Sequence, residues 1–96
     1  MIVSFGDKAT RDVFDGTDSK DARSIPKQLW NVALRKLDML NAARDLMDLT
    51  AAQSNRLEKL KGDLAGHWSI RVNEQYRVIF RFSNGNAEEV RIVDYH

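Results

Sequence analysis

The spacing of hydrophobic and polar residues changes once along the chain, and this change separates a helical first half from a β-rich second half. From Leu29 onward, apolar or small residues recur at steps of three and four, the pattern of one buried stripe on an amphipathic helix. The members of the stripe are Leu29, Ala33, Leu37, Leu40, Ala43 and Met47. The sequence therefore predicts one long helix over this stretch.

A shorter helix is predicted near the N-terminus. Asp7 can cap it, Val13 points toward the interior and Gly16 ends it. The polar residues 17–24 have no period and form a loop. Pro26 then suits the first turn of the long helix, where a missing amide hydrogen costs nothing.

Beyond Gly66 the period becomes two, which is typical of strands with one buried face. Three strands are predicted, and their inward residues are Ile70 and Val72, then Tyr76, Val78, Phe80 and Phe82, then Val90 and Ile92. Glu74 and Gln75 turn the chain after the first strand, and Asn84-Gly85 favours a tight type I′ hairpin after the second.

Two segments flank this pattern. Residues 50–63 are predicted to be an irregular connector, and Met1 to Phe5 to add an edge strand. A helical layer on one small, mainly antiparallel sheet is the economical arrangement, so the expected fold class is α+β in a single domain, residues 1–96.

Composition narrows the classes of protein that the chain can represent. The formal net charge is +1, so any basic site must be local, and the absence of cysteine excludes disulfides and thiolate metal sites. No apolar run approaches the roughly 18 residues of a membrane span, and the first residues do not resemble a signal peptide. We therefore expect a cytoplasmic protein that does not bind membranes.

Strand alternation predicts a basic face on the sheet. If the inward residues face the helices, four arginines must face away, together with Val93 and Tyr95; the arginines are Arg71, Arg77, Arg81 and Arg91. Guanidinium groups bind phosphate oxygens bidentately, so this face suits an RNA backbone. The alternative is a solvated face whose arginines pair with acids such as Glu74, Glu88 and Glu89.

The C-terminal Tyr95 and His96 are adjacent proton-transfer groups that follow an apolar strand directly. The alternative is a tyrosine packed at the sheet edge beside a frayed terminal residue. His67, next to Trp68, is expected to be a packing or surface residue. The sequence has no ligand spacing typical of a metal site and no glycine-rich phosphate loop.

Four segments have a familiar order and spacing. They are Arg56-Leu57-Glu58-Lys59-Leu60-Lys61-Gly62-Asp63, Trp68-Ser69-Ile70-Arg71-Val72-Asn73, Tyr76-Arg77-Val78-Ile79-Phe80-Arg81 and Val93-Asp94-Tyr95-His96. Together they resemble the HigB toxins, or plasmid maintenance killer proteins, of the RelE/ParE superfamily. The resemblance spans nearly the whole chain.

This resemblance implies a RelE-like fold and the toxin of a type II toxin-antitoxin system. Such a toxin enters the aminoacyl site of a translating ribosome and cuts the exposed mRNA codon, without a cofactor. The ribose 2′-hydroxyl attacks the adjacent phosphorus and leaves a 2′,3′-cyclic phosphate. The implied partner is a helix-turn-helix antitoxin of the HigA type, and operator DNA is bound only through that antitoxin.

The resemblance also implies roles for individual residues. Lys61 and Arg77 would stabilise the charged phosphorane. Acid-base chemistry would fall to Asp94, Tyr95 and His96, and RNA positioning to Arg71, Arg81 and Arg91. Some HigB toxins have a histidine three residues before this lysine, where the present chain has Glu58. That carboxylate is a possible base, but it would also repel RNA phosphates.

Two other functions remain open at this point. A toxin of the ParE branch would poison DNA gyrase without cutting RNA, and a non-cleaving toxin would inhibit translation by occupying the ribosome. The Lys61-Gly62-Asp63 loop and the Asp94-Tyr95-His96 end favour the HigB branch over the ParE branch.

Overall fold

Residues 1–95 are described by a computed structural model, in which a helical layer packs on one antiparallel sheet. Within this range there are two α-helices and four strands. Their bounds are Lys8–Asp15 (α1), Trp30–Ala42 (α2), Glu58–Lys59 (β1), Trp68–Arg71 (β2), Tyr76–Ser83 (β3) and Asn86–Asp94 (β4). The predicted α+β class is confirmed.

The four strands lie in the order β1-β2-β3-β4, and each neighbouring pair is antiparallel. Val78 in β3 lies opposite Ile70 in β2 and Ile92 in β4, so one face of the sheet carries the inward residues. Asn84 and Gly85 have φ values of 52° and 79°. Two successive left-handed residues are what a type I′ turn requires, and the predicted hairpin is confirmed.

Helix α1 begins and ends as its sequence predicts. The Asp7 carboxylate accepts the backbone N–H of Thr10 at 2.8 Å, and Gly16 adopts the left-handed conformation that ends the helix. The Thr10 hydroxyl accepts the backbone N–H of Ile92 at 2.8 Å in a buried bond, which fixes α1 against β4.

The core lies between the helices and the inward face of the sheet. Its largest fully buried members include Leu37 and Leu40 of α2, Val78 and Phe80 of β3, and Val90 of β4. Helix α2 therefore packs the buried part of its predicted stripe on β3 and β4.

Helix α2 is shorter than predicted, because it ends at Ala42 and the stripe continues only to Ala43. Met47 belongs to a separate 3₁₀ helix, Leu46–Thr50, and its side chain is 70% exposed. The cause is local: Asp48 accepts the backbone N–H groups of Arg44 and Asp45, and Asp45 accepts that of Met47. These bonds cap a new helix and compete with continuation of the old one.

Two further details correct the sequence-based picture. Pro26 lies outside the helix, before a 3₁₀ turn at Lys27–Leu29 that leads into α2. The connector is mostly irregular, as predicted, but Glu58 and Lys59 pair with Ser69 and Trp68 and so add a fourth strand to the sheet.

The N-terminal segment runs parallel to β4 through isolated bridges at Ile2 and Phe5, and is not a continuous strand. Beside it, the β3–β4 register shifts by one residue between Ile79 and Arg81. Glu89, on the bulged strand, has φ of 54°. A β-bulge of this kind turns side chains out of strict alternation.

No helix within the described range is long and apolar enough to span a membrane.

Candidate active site

The sheet face turned away from the helices carries most of the predicted site. The strand register places Arg77 opposite Arg71 and Val93, and Ile79 opposite Ser69 and Arg91. Because side chains alternate, these residues share that face, which we call the arginine face.

The centre of the arginine face is buried, which the sequence did not predict. Ser69 and Ile79 are fully buried, and Leu60 and His67 in the adjacent loop are 4% and 9% exposed. The loop is closed by a bond from the Leu60 N–H to the His67 carbonyl at 2.9 Å. Charged groups therefore lie toward the two ends of the face, with Arg77 and Arg81 separated by about 13 Å along β3.

One end is organised around Arg77. Its Nη1 lies 3.3 Å from the Ser69 hydroxyl and 3.7 Å from the Glu58 carboxylate, and its Cζ lies 5.4 Å from the centroid of the Tyr95 ring. We call these four residues the Arg77 cluster. It unites the predicted phosphate-binding arginine, the possible base and one predicted proton-transfer group.

The backbone explains why these side chains meet. Glu58 is held opposite Ser69 by the short β1–β2 ladder, and Arg77 lies opposite Val93, two residues before Tyr95. The Arg77 side chain is 18% exposed, whereas that of Glu58 is 53% exposed. Because the Glu58 carboxylate is half exposed and lies 3.7 Å from the guanidinium, the ion pair contributes only about 0–1 kcal/mol, so a phosphate can displace it.

Two other predicted catalytic residues, Lys61 and Asp94, are not in the cluster. Lys61 is exposed and makes no hydrogen bond or ion pair through its ammonium group with the described residues. Asp94 lies opposite Tyr76 on the other side of the strand, and its carboxylate accepts the Gln75 side-chain amide at 3.0 Å. His96 lies outside the described residues.

The other end of the face contains a cavity of about 500 Å³ that Arg81 and Arg91 line. Glu89 lies 2.8 Å from Nε of Arg81 and 3.7 Å from Nε2 of His67. His67 is buried and its Nδ1 has no hydrogen-bond partner among the described residues. The packing role expected for His67 agrees with this burial, and the pairing of Arg81 with Glu89 agrees with the solvated-face alternative.

Arg71 does not join the other arginines. Its side chain lines a separate cavity beside α2, together with Arg35 and Lys36. The sequence analysis did not single out Arg35 or Lys36. The available signal was the spacing of Lys36, which follows Ala33 by three residues and precedes Leu40 by four and so lies on the apolar stripe.

Comparisons with known proteins agree with the fold. The four-stranded sheet and two helices resemble the Staphylococcus aureus YoeB toxin in a YoeB-YefM complex, with a TM-score of 0.61 and 14% identity over 100% of this chain and 98% of that one. They also resemble a YoeB/ParE toxin from Agrobacterium tumefaciens, with a TM-score of 0.55 and 18% identity over 99% and 98% of the two chains. The chain therefore shares the fold of these structures.

Sequence comparisons assign the chain to a particular family of toxins. The family model described as RelE-like toxin of type II toxin-antitoxin system HigB matches residues 3–96. Toxin HigB-1 of Vibrio cholerae is 42% identical over 87 residues, which cover 91% of this chain and 90% of that one. Endoribonuclease HigB of Proteus vulgaris is 34% identical over 97 residues, which cover 100% of both. This chain belongs to the HigB-like family of type II toxins.

Proposed function

We propose that this toxin is an endoribonuclease that cuts mRNA on translating ribosomes in the cytoplasm. The full-length similarity to Endoribonuclease HigB of Proteus vulgaris supports RNA cleavage. The observation that carries the proposal is the convergence of Glu58 and Tyr95 on the guanidinium of Arg77. A base, a phosphate-binding cation and an acid are the groups that this reaction needs.

The reaction would use the substrate's own nucleophile. A base takes the proton of the ribose 2′-hydroxyl, O2′ bonds to phosphorus, and the bond from phosphorus to O5′ breaks. An acid then protonates O5′, so the products are a 2′,3′-cyclic phosphate and a free 5′-hydroxyl. Protons and electron pairs balance without water or a metal ion as reactant.

In this scheme Arg77 and Lys61 stabilise the negative charge that grows on the phosphorane oxygens. Glu58 is the candidate base, and Tyr95 with His96 supplies the candidate acid. Asp94 is proposed to support that C-terminal end, and Arg81 and Arg91 to position the RNA strand beyond the reacting phosphate.

Dependence on the ribosome follows from the small size of the charged surface. The net charge is only +1, and Arg77 and Arg81 already have acidic neighbours, so few phosphate contacts are available to naked RNA. The ribosome would hold the codon in place and so remove the entropy cost of fixing a flexible RNA strand in the site. A helix-turn-helix antitoxin of the HigA type is proposed as the partner that restrains the toxin.

The test compares purified mRNA alone with mRNA on programmed ribosomes, and maps the 5′ ends of the fragments. We expect cutting only on ribosomes and fragments with 5′-hydroxyl and 2′,3′-cyclic phosphate ends. Arg77→Ala should cut at least about 100-fold more slowly, since a lost charge-stabilising donor typically costs this much. Arg11→Ala, at an exposed position on α1, is the control.

Equal cutting of naked and ribosome-bound mRNA would contradict the ribosome dependence. No cutting of either would contradict the nuclease itself. In that case, inhibition of translation without cleavage would identify a ribosome-occupying toxin, and inhibition of DNA supercoiling would identify a ParE-like gyrase poison.

A further inference from the structure

A second cavity lies away from the Arg77 cluster, between α2 and the turn that joins β2 to β3. It has a volume of about 310 Å³, and its polar lining comprises Arg35, Lys36, Ser54, Arg71 and Asn73. We call it the Lys36 cavity. Among the described residues that line it, none carries a carboxylate.

Lys36 is the unusual member of this lining, because it is a buried cation. The residue is only 7% exposed, and its ammonium donates to the Asn55 amide oxygen at 2.5 Å and to the Ser54 hydroxyl at 3.2 Å. Asn55 is itself fixed by a bond from its amide to the Leu49 carbonyl at 2.9 Å. Both acceptors are neutral, so they orient the ammonium group without compensating its charge.

The surroundings make this charge less favourable still. Burial lowers the pKa of Lys36, and the positive charges of Arg35 and Arg71 lower it further. Buried lysines normally have an acidic partner, since an uncompensated charge in a dry environment is costly. Three cations that meet without a described counter-charge therefore create a strong local preference for an anion.

The position of Arg71 relates this cavity to the RNA proposal. Arg71 lies directly opposite Arg77 across the β2–β3 ladder, a Cα separation of about 5 Å. An RNA strand that has one phosphate bound at Arg77 can thus continue past Arg71 to the mouth of the Lys36 cavity. The cavity is at the small end of ligand sites, about 300–1,000 Å³, which suits a phosphate group with part of its sugar.

We propose that the Lys36 cavity is a second phosphate site, which binds a backbone phosphate of the RNA strand adjacent to the one at Arg77. This inference rests on the proposed RNA-cleaving function. Lys36 supplies the buried charge, and Arg35 and Arg71 close over the phosphate oxygens from the rim. Nothing in the reaction scheme uses these residues, so they affect RNA binding and not the chemical step.

The experiment measures binding of two probes by calorimetry at low ionic strength, where phosphate contacts are strongest. One probe is inorganic phosphate, with chloride at equal ionic strength as the reference. The other is a short single-stranded RNA in which every 2′-hydroxyl is methylated and which cannot be cut. The variants are Lys36→Met and Arg71→Gln, with Lys20→Met and Arg11→Gln at exposed positions as matched controls.

We expect wild-type protein and both controls to bind phosphate and the RNA, and phosphate to compete with the RNA. Lys36→Met and Arg71→Gln should each lower the affinity for both probes by about 10- to 100-fold, which corresponds to the loss of one charge-assisted hydrogen bond. If Lys36→Met does not fold, the same binding measurements are made with Arg71→Gln and with Arg35→Gln, which replace arginines at the rim of the cavity.

Phosphate binding that does not compete with the RNA would overturn the assignment to the strand and leave a site for a free anion. Variants that bind both probes as tightly as wild type would overturn the site altogether. This includes the case in which they weaken only antitoxin binding, which would identify a pocket for a partner's carboxylate. Neither probe is cut, so these results are independent of whether the protein proves to be a nuclease.

Discussion

At the scale of single residues, the proposed mechanism assigns phosphate binding and proton transfer to different members of the Arg77 cluster. Arg77 is permanently charged and can only donate, whereas Glu58 and Tyr95 can exchange protons. The Tyr95 ring also packs over the Arg77 guanidinium, so removal of the whole ring would disturb the cation. Substitutions that change one atom are therefore more informative than truncations.

Tyr95→Phe keeps the ring over Arg77 and removes only the hydroxyl. We expect the single-turnover cleavage rate on saturated ribosomes to fall by about 10²- to 10⁴-fold, the usual loss for a general acid. Binding should be unchanged. Tyr76→Phe, on the helix-side face of the same sheet end, is the control. A Tyr95→Phe enzyme that cuts at the wild-type rate would assign the acid role to His96 or solvent.

Glu58→Gln tests the base while keeping the shape of the side chain. We expect the single-turnover rate to fall by about 10²- to 10⁴-fold and the affinity for programmed ribosomes to stay equal or rise, because a negative charge beside the phosphates is lost. Glu74→Gln, in the exposed β2–β3 turn, should change neither quantity. An unchanged rate in Glu58→Gln would show that the proton leaves by another route.

The sequence predicted part of this site because strand alternation is a strong constraint. Arg77 and Tyr95 were expected on one face, and both are found in the cluster. The position of Glu58 depends on a two-residue strand that no periodicity can reveal. Arg71 was expected on the same face as Arg77, but it lines the cavity beside α2.

At the scale of elements, α1 is held to the following loop by a hydrogen bond to the carboxylate of Asp12. Asp12 is buried, and its carboxylate accepts the Lys8 ammonium at 2.7 Å and the Ser19 hydroxyl at 2.6 Å. These two bonds, the lysine's first, hold the pKa of Asp12 below its usual value. Ser19 in turn accepts the Ala22 N–H at 3.0 Å, so the bond orders the loop that leads to α2.

Asp12→Asn should therefore lower the melting temperature in a pH-dependent way. A carboxyl whose pKa is lower in the folded state stabilises the protein above its unfolded pKa of about 3.9, and this contribution is lost as pH falls through the folded pKa. We expect the difference in melting temperature between wild type and Asp12→Asn to be largest at neutral pH and to disappear below about pH 4. Thermal unfolding from neutral to acid pH, with the exposed Asp15→Asn as control, measures it. A difference that is constant with pH would contradict the charged bond.

The ends of elements were predicted best where a dedicated residue sets them. Asp7 and Gly16 bound α1 as expected, because a cap and a left-handed residue are local signals. The apolar stripe of α2 extended to Met47 in the sequence, but Asp45 and Asp48 bind nearby backbone N–H groups and divide the stretch in two. The apolar periodicity contains no information about these side-chain hydrogen bonds, so it could not predict that they end the helix.

At the scale of the whole molecule, an unrestrained toxin should arrest its host. We expect induction in cells without an antitoxin to stop growth within a few generations, and co-expression of the proposed helix-turn-helix antitoxin to restore it. Arg77→Ala at matched protein level should not arrest growth. Abundant wild-type protein without a growth defect would contradict the proposed activity and leave the family assignment intact.

The two outer edges of the sheet are protected to different extents. Val3 and Gly6 donate to the carbonyls of Ala87 and Val90, and Ala87 and Val90 donate back to Met1 and Ser4, so the N-terminal segment occupies the open side of β4. At the other edge, the two residues of β1 cover only half of β2. Loss of the first five residues would uncover residues 87–90 of β4, a template on which further copies could add by strand pairing. A segment too irregular to count as a strand thus covers the part of this edge to which another copy could add.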